Sequence, residues 1–121
     1  MTRFTNKKFI TSVKHSIDGV LATFKSQRNF KFQICIMLFI CFAALAFEYS
    51  AVEFALCLFS IFLVLILEMF NSCIEFTLDA VYKNKYSTLV KLAKDISAGA
   101  VLLSSVNCVL VNGIILISNL F

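Results

Sequence analysis

Apolar residues recur near the start of the chain at Phe9, Ile10, Val13, Ile17, Val20, Leu21 and Phe24. That spacing is the period of one helix face, and Lys7, Lys8 and Lys14 stand mostly off it. A basic, moderately apolar helix of this kind, over about residues 4–28, is expected to lie in a membrane interface rather than cross it. An ordinary amphipathic helix packed on its neighbours fits the same period. Beyond it the pattern changes from stripe to block. Residues 30–47 hold Lys31 and Gln33 as their strongly polar positions. Residues 54–67 are apolar apart from Ser60, with helical patterning that continues to residue 78, and residues 96–121 carry no charge. A membrane-spanning helix takes about 20 apolar residues. Three spans are therefore predicted, over about 30–47, 54–78 and 92–120. The expected fold is an all-α membrane protein: one domain over residues 1–121, with an N-terminal interfacial amphipathic helix and three transmembrane helices. There is no proline to force a kink.

Composition agrees. Of the 121 residues, 60% are hydrophobic and 15% charged, against about 25% charged in ordinary soluble domains. The net charge of +4 raises the question of nucleic acid. The basic residues flank apolar blocks, however, as contact with anionic headgroups requires, so no nucleic-acid partner is expected. Cys35, Cys41, Cys57, Cys73 and Cys108 sit singly in apolar stretches and read as small helix residues. With His15 the single histidine, no histidine-based metal site or triad can be assembled. The N-terminal segment is not expected to be a cleaved signal. Arg3, Lys7, Lys8, Lys14, Lys25, Arg28 and Lys31 precede or open the first span, and Lys83, Lys85, Lys91 and Lys94 lie between the second and third. The connection over residues 48–53 has no Lys or Arg. The N-terminus and the second loop are therefore expected on the cytoplasmic side. Glu48 and Glu53, on the far side, read as loop-solvating residues.

The informative stretch is EMFNSCIEFTLD, residues 68–79. At about 100° per residue, Glu68, Asn71, Ser72, Glu75 and Asp79 fall within a wedge roughly 100° wide. A carboxylate near mid-membrane costs on the order of 2.5–3.5 kcal/mol, so Glu68, near the interface, carries a smaller but real penalty. Helix–helix hydrogen bonding is one explanation. Two acids without matching buried bases fit a cation site better, and oxygen ligands suit Mg²⁺ held together with substrate phosphates. The third span opens with KLAKDISAGA, residues 91–100, where Lys94 stands at a helix start that favours anions. Small residues at 97–100 suit close approach of another helix. Carboxylates and a lysine at one membrane face suggest phosphoryl transfer, yet neither a GxxxxGK[ST] loop nor a kinase glycine-rich loop is present.

The run Glu68-x-x-Asn71-Ser72-x-x-Glu75-x-x-x-Asp79, followed by Ala93-Lys94-Asp95 and by Ala98-Gly99-Ala100-Val101-Leu102, resembles the prokaryotic diacylglycerol kinase family, which includes the undecaprenol kinases. Gln27-Arg28-Asn29-Phe30 resembles the start of the first span in the undecaprenol kinase-like branch. The likeness covers roughly residues 7–118. It implies a homotrimer in the bacterial cytoplasmic membrane that phosphorylates a lipid hydroxyl, of diacylglycerol or undecaprenol, with ATP and Mg²⁺. It further implies that Glu68 is the general base and Glu75 a Mg²⁺ ligand. Asn71 would orient the acceptor, with Ser72 beside it in the substrate-binding run. Asp79 would lie near the nucleotide, and Lys94 and Asp95 at its phosphates and adenosine. Where diacylglycerol kinases place a metal-binding glutamate just before the first span, this chain has Gln27, a neutral candidate for both metal and nucleotide contact.

Other classes use similar residues. A small multidrug or proton-coupled transporter also needs an intramembrane glutamate, but its site should lie near the midplane, whereas this stripe runs out to the loop. A purely structural membrane subunit is a third reading. Three helices cannot enclose the five-residue stripe from all sides, so a partner subunit is expected over it; the number three comes from the resemblance.

Overall fold

The computed structural model describes the backbone of residues 3–83 and 85–121 and the side chains of residues 6–83 and 85–121. Met1, Thr2, Asn84 and the Arg3 side chain, counted above with the domain and its basic flank, lie outside the described residues. The described chain forms four α-helices: α1 (Arg3–Ser26), α2 (Arg28–Ala46), α3 (Ala51–Tyr82) and α4 (Thr88–Leu120). The last three are long and apolar enough to cross a membrane. Short connections make consecutive long helices antiparallel, and α3 is the central element, with α2 and α4 packed on it. The apolar core gathers Ile40 of α2, Cys57, Ile61 and Val64 of α3, and Cys108 and Ile115 of α4. It lies in the half of the bundle away from the lysines of residues 83–94. Large apolar side chains such as Phe32, Phe39, Phe42, Phe59 and Val109 are exposed, a surface matched to hydrocarbon rather than to water.

The helix boundaries depart from the sequence expectation in an instructive way. α3 begins at Ala51 and runs to Tyr82, not over 54–78, and α4 begins at Thr88, not 92. Counting apolar residues measures the hydrocarbon layer, whereas local hydrogen bonding and backbone geometry fix the helix ends. Ser50 and Glu53 form a capping box: Ser50 Oγ accepts from the Glu53 N–H at 3.2 Å, and Glu53 Oε2 accepts from the Ser50 N–H at 3.2 Å. Glu53 Oε2 also accepts from Asn119 Nδ2 at 2.9 Å, tying the start of α3 to the end of α4. Glu53 is thus no loop-solvating residue, as the sequence suggested, but a cap and a clamp. At the other end Lys83 takes a left-handed conformation, φ 51° and ψ 41°, and stops the helix.

α1 breaks from α2 at Gln27, whose extended backbone precedes the first turn of α2. Its apolar stripe, from Phe9 to Phe24, is exposed, and the end of α1 meets α2, where Lys31 Nζ lies 5.7 Å from the centre of the Phe24 ring. Toward the far end, Asn112 Nδ2 donates to Ser60 Oγ at 3.0 Å and to the Cys108 carbonyl at 2.8 Å, joining α3 and α4 through a buried hydroxyl. All five cysteines are free.

Loss of the Ser50 cap in Ser50→Ala should cost about 1 kcal/mol of stability. Glu53→Ala, which also frees Asn119, should cost more, as read by thermal unfolding in detergent micelles. Equal midpoints for the two variants would contradict the clamp.

Candidate functional site

A helix rises 1.5 Å per residue, so a hydrocarbon layer of roughly 30 Å that began at the start of α3 would take up about its first 20 residues. Glu68 would then lie close to the edge of the layer, and Asn71, Ser72, Glu75 and Asp79 follow outward on the same face. Glu68 is 3% exposed. Its Oε2 accepts from Gln33 Nε2 of α2 at 3.4 Å. Ser72, also buried, donates to the Glu68 carbonyl at 2.9 Å, so its hydroxyl serves its own helix. Asn71 is a bridge. Its Oδ1 accepts from Ser97 Oγ of α4 at 2.6 Å, and its Nδ2 donates to Glu75 Oε1 at 3.5 Å. Among the small residues of 97–100, it is Ser97 that seats α4 on α3, while Ala98 and Ala100 are exposed.

Further out, Lys94 Nζ donates to Asp79 Oδ1 at 2.6 Å, across the turn between α3 and α4. Asp95 accepts instead from Lys91 at 2.6 Å on its own helix. The two acids expected near a nucleotide are therefore each matched with a lysine. Glu75 is half-buried and, among the described residues, has no cationic partner. Gln27 is half-buried at the α1–α2 junction, and its side chain makes no cap bond to α2. The described residues contain no group of three His, Cys, Asp or Glu that could hold a metal ion. Any divalent cation there would need ligands beyond the acidic side chains, and Mg²⁺ commonly takes them from phosphates and water.

Two cavities flank this stripe. The larger, about 680 Å³, is a cleft with α2 along one wall, α4 along the other and Ile61 and Val64 of α3 as its floor. Its walls are chiefly apolar, through Phe32, Ile36, Ile40, Val101 and Leu102, and Gln33 and Glu68 lie at its lysine-side end. At its opposite end Tyr49 occupies the α2–α3 turn. Burial, with the Cys57 thiol and the Glu53 carboxylate nearby, pushes the Tyr49 phenol above its ordinary value. The smaller cavity, about 290 Å³, lies between the end of α3 and the start of α4. Asp79, Tyr82, Lys85, Tyr86, Lys91, Lys94 and Asp95 line it. Three lysines stand against two aspartates there, a formal excess of one positive charge.

The structure thus brings Glu68, Asn71, Ser72 and Glu75 onto one continuous face and Asp79, Lys94 and Asp95 around one pocket. Gln27 stands apart from both cavities. Sequence reasoning missed Gln33 and Lys91. Gln33 could have been found by the logic applied to Glu68, since an amide in an apolar block needs a polar partner. Lys91 stands four residues before Asp95, the spacing at which helix side chains meet.

A model of the prokaryotic diacylglycerol kinase family matches residues 14–116. The chain is 33% identical over 108 residues to a diacylglycerol kinase of Synechocystis sp., covering 89% of this chain and 62% of that protein. It is 31% identical over 104 residues to an undecaprenol kinase of Bacillus subtilis, covering 85% and 84%. The chain therefore spans less than two thirds of the length of the Synechocystis protein.

Cross-helix hydrogen bonds in membrane bundles average about 0.6 kcal/mol and reach about 1.7. A double-mutant cycle of Asn71→Ala and Ser97→Ala, followed by unfolding in micelles, should give a coupling in that range. Additive effects would contradict the Asn71–Ser97 bridge.

Proposed function

The chain belongs to the prokaryotic diacylglycerol kinase family, and from that membership we propose that it is a lipid kinase, transferring the terminal phosphoryl group of ATP to the hydroxyl of a membrane lipid. One observation carries the reading: the polar stripe of α3 joins two unlike cavities. An apolar cleft is headed by the buried Glu68, and a lysine-bearing pocket lies at the stripe's other end. A lipid suits the first and a nucleotide the second. The reaction centre would lie between them, along Asn71 and Glu75. The acceptor is diacylglycerol or undecaprenol, the lipids for which the two relatives are named.

In this reading the lipid hydroxyl oxygen attacks the terminal phosphorus of ATP. Its proton passes to the Glu68 carboxylate, and ADP leaves. The apolar cleft keeps water from competing as the acceptor. Lys94 would exchange Asp79 for the nucleotide phosphates, and Asp95 and Lys91 would lie beside the adenosine. Asn71, held by Ser97, would orient the acceptor, while Ser72 fixes the backbone behind Glu68. Phosphoryl transfer asks mainly for such positioning and charge neutralisation.

The donor set fits Mg²⁺. Glu75 is a half-buried carboxylate with one long hydrogen bond and, among the described residues, no basic partner. This hard cation is commonly held by one or two carboxylates together with substrate phosphates. Glu75 would hold the ion, with Gln27 as a neutral second oxygen, and the bound ion would neutralise phosphate charge. The exposed apolar stripe of α1 would lie on the cytoplasmic face of the bacterial inner membrane, with the connection between α3 and α4 on the same side. The open cleft and stripe would be completed by further copies of the chain in a homotrimer.

Purified protein in mixed micelles should transfer label from Mg-ATP to diacylglycerol or undecaprenol, and Glu68→Gln should lower kcat by at least about a hundredfold. Label transfer undiminished in that variant would remove Glu68 from the chemistry. No transfer to either lipid by a folded oligomer would favour the transporter or the structural-subunit reading. Separately, Gln27→Glu should lower the Mg²⁺ concentration giving half-maximal rate, since it adds a formal charge to the ligand set. An unchanged Mg²⁺ dependence would exclude Gln27 as a ligand.

A further inference from the structure

Gln33 is 8% exposed and Glu68 3% exposed, on facing helices at the head of the apolar cleft. The amide nitrogen of Gln33 donates to Glu68 Oε2 at 3.4 Å. Its amide oxygen is a buried side-chain atom with no hydrogen-bond partner among the described residues. The orientation follows from chemistry: a carboxylate accepts only, so the nitrogen turns toward it and the oxygen is left facing away. A buried amide oxygen left without a partner carries a cost. Methionine or leucine at this position would fill the same space and leave no amide oxygen unpaired, but would take from the Glu68 carboxylate the hydrogen bond that α2 gives it. What glutamine alone adds is a neutral N–H aimed at the carboxylate.

From this geometry we propose that Gln33 is a positioning residue: its amide engages one oxygen of the Glu68 carboxylate and leaves the other free to receive the proton of the lipid hydroxyl. The inference rests on the reading of Glu68 as proton acceptor. Charge explains the choice of group. A lysine or arginine at 33 would form an ion pair with Glu68 and compete with the reacting proton. A second carboxylate would set two like charges close together in a poorly solvated place. The 3.4 Å separation is longer than the usual 2.9–3.0 Å for an N–H···O bond.

The test compares wild type with Gln33→Met, Gln33→Leu and Gln33→His in the labelled phosphotransfer assay, with thermal unfolding and oligomer size measured on the same preparations. Loss of one hydrogen bond to a charged group at the reacting centre should lower kcat about tenfold in the apolar variants. KM for ATP and for lipid should stay within about twofold. Gln33→His, which keeps a ring N–H donor, should retain more kcat than either. Wild-type kcat in Gln33→Met or Gln33→Leu overturns the inference and leaves the kinase reading standing. So does a loss of kcat that follows a loss of thermal stability or assembly, or a failure of both apolar variants to fold, each of which marks a structural role. Absence of phosphotransfer by the wild-type protein overturns the kinase reading itself, and this inference with it.

Discussion

Glu68 holds a carboxylate on the central helix about where the hydrocarbon layer ends, and covering that group is the demand around which the neighbouring helices are arranged. A charge so placed is costly unless it is hydrogen-bonded. α2 supplies Gln33 to the carboxylate, whereas Ser72 bonds the Glu68 backbone carbonyl and Asn71 bonds Ser97 and Glu75. α4 reaches the same region through Ser97, which holds Asn71 rather than Glu68. Among the described residues, the hydrogen bond to the carboxylate therefore comes from Gln33 of α2. The cleft beside it is walled chiefly by apolar residues.

The same helix divides the molecule into two media. Below Glu68 the contacts are apolar, in the Ile61, Val64, Cys108 and Ile115 cluster, with Asn112 and Ser60 as an internal polar tie. Above it the contacts are polar and increasingly solvated, ending in the Asp79–Lys94 pair, whose side chains are roughly a third exposed. Such a pair contributes little to stability, because water screens it and both side chains lose freedom. A weak pair is also an exchangeable one. Lys94 can leave Asp79 for a phosphate at low cost, which a deeply buried ion pair could not do.

Much of this was legible in the sequence because periodicity reports environment. The stripe of Glu68, Asn71, Ser72, Glu75 and Asp79 follows from helical spacing alone, and the three long blocks follow from hydropathy. Contacts between distant positions were not legible. Gln33 and Glu68 lie 35 residues apart, and Asn71 and Ser97 lie 26 apart; only the antiparallel docking of α2 and α4 on α3 brings them together. Glu53 was misread for a different reason. Its Ser-x-x-Glu capping signature is local and visible, but a carboxylate beyond an apolar block looks like loop when hydrocarbon thickness is the measure. The helix was longer than the layer, and the cap belonged to the helix.

Polarity along α3 also constrains how the two cavities can cooperate. A nucleotide carries several charges and cannot enter the apolar cleft, whereas a long-chain lipid gains nothing from the lysine-lined pocket. In the proposed kinase, solvation would favour each ligand at its own end. On the proposed reading they meet at Asn71 and Glu75, the stretch of the stripe between the two cavities. The base then has to stand on the lipid side, because the proton it takes belongs to the lipid. The residues that handle phosphate have to stand on the solvated side, because their charges must be free to exchange partners. The order of residues from Glu68 to Asp79, and the burial that falls along it, is the order that this division of labour requires.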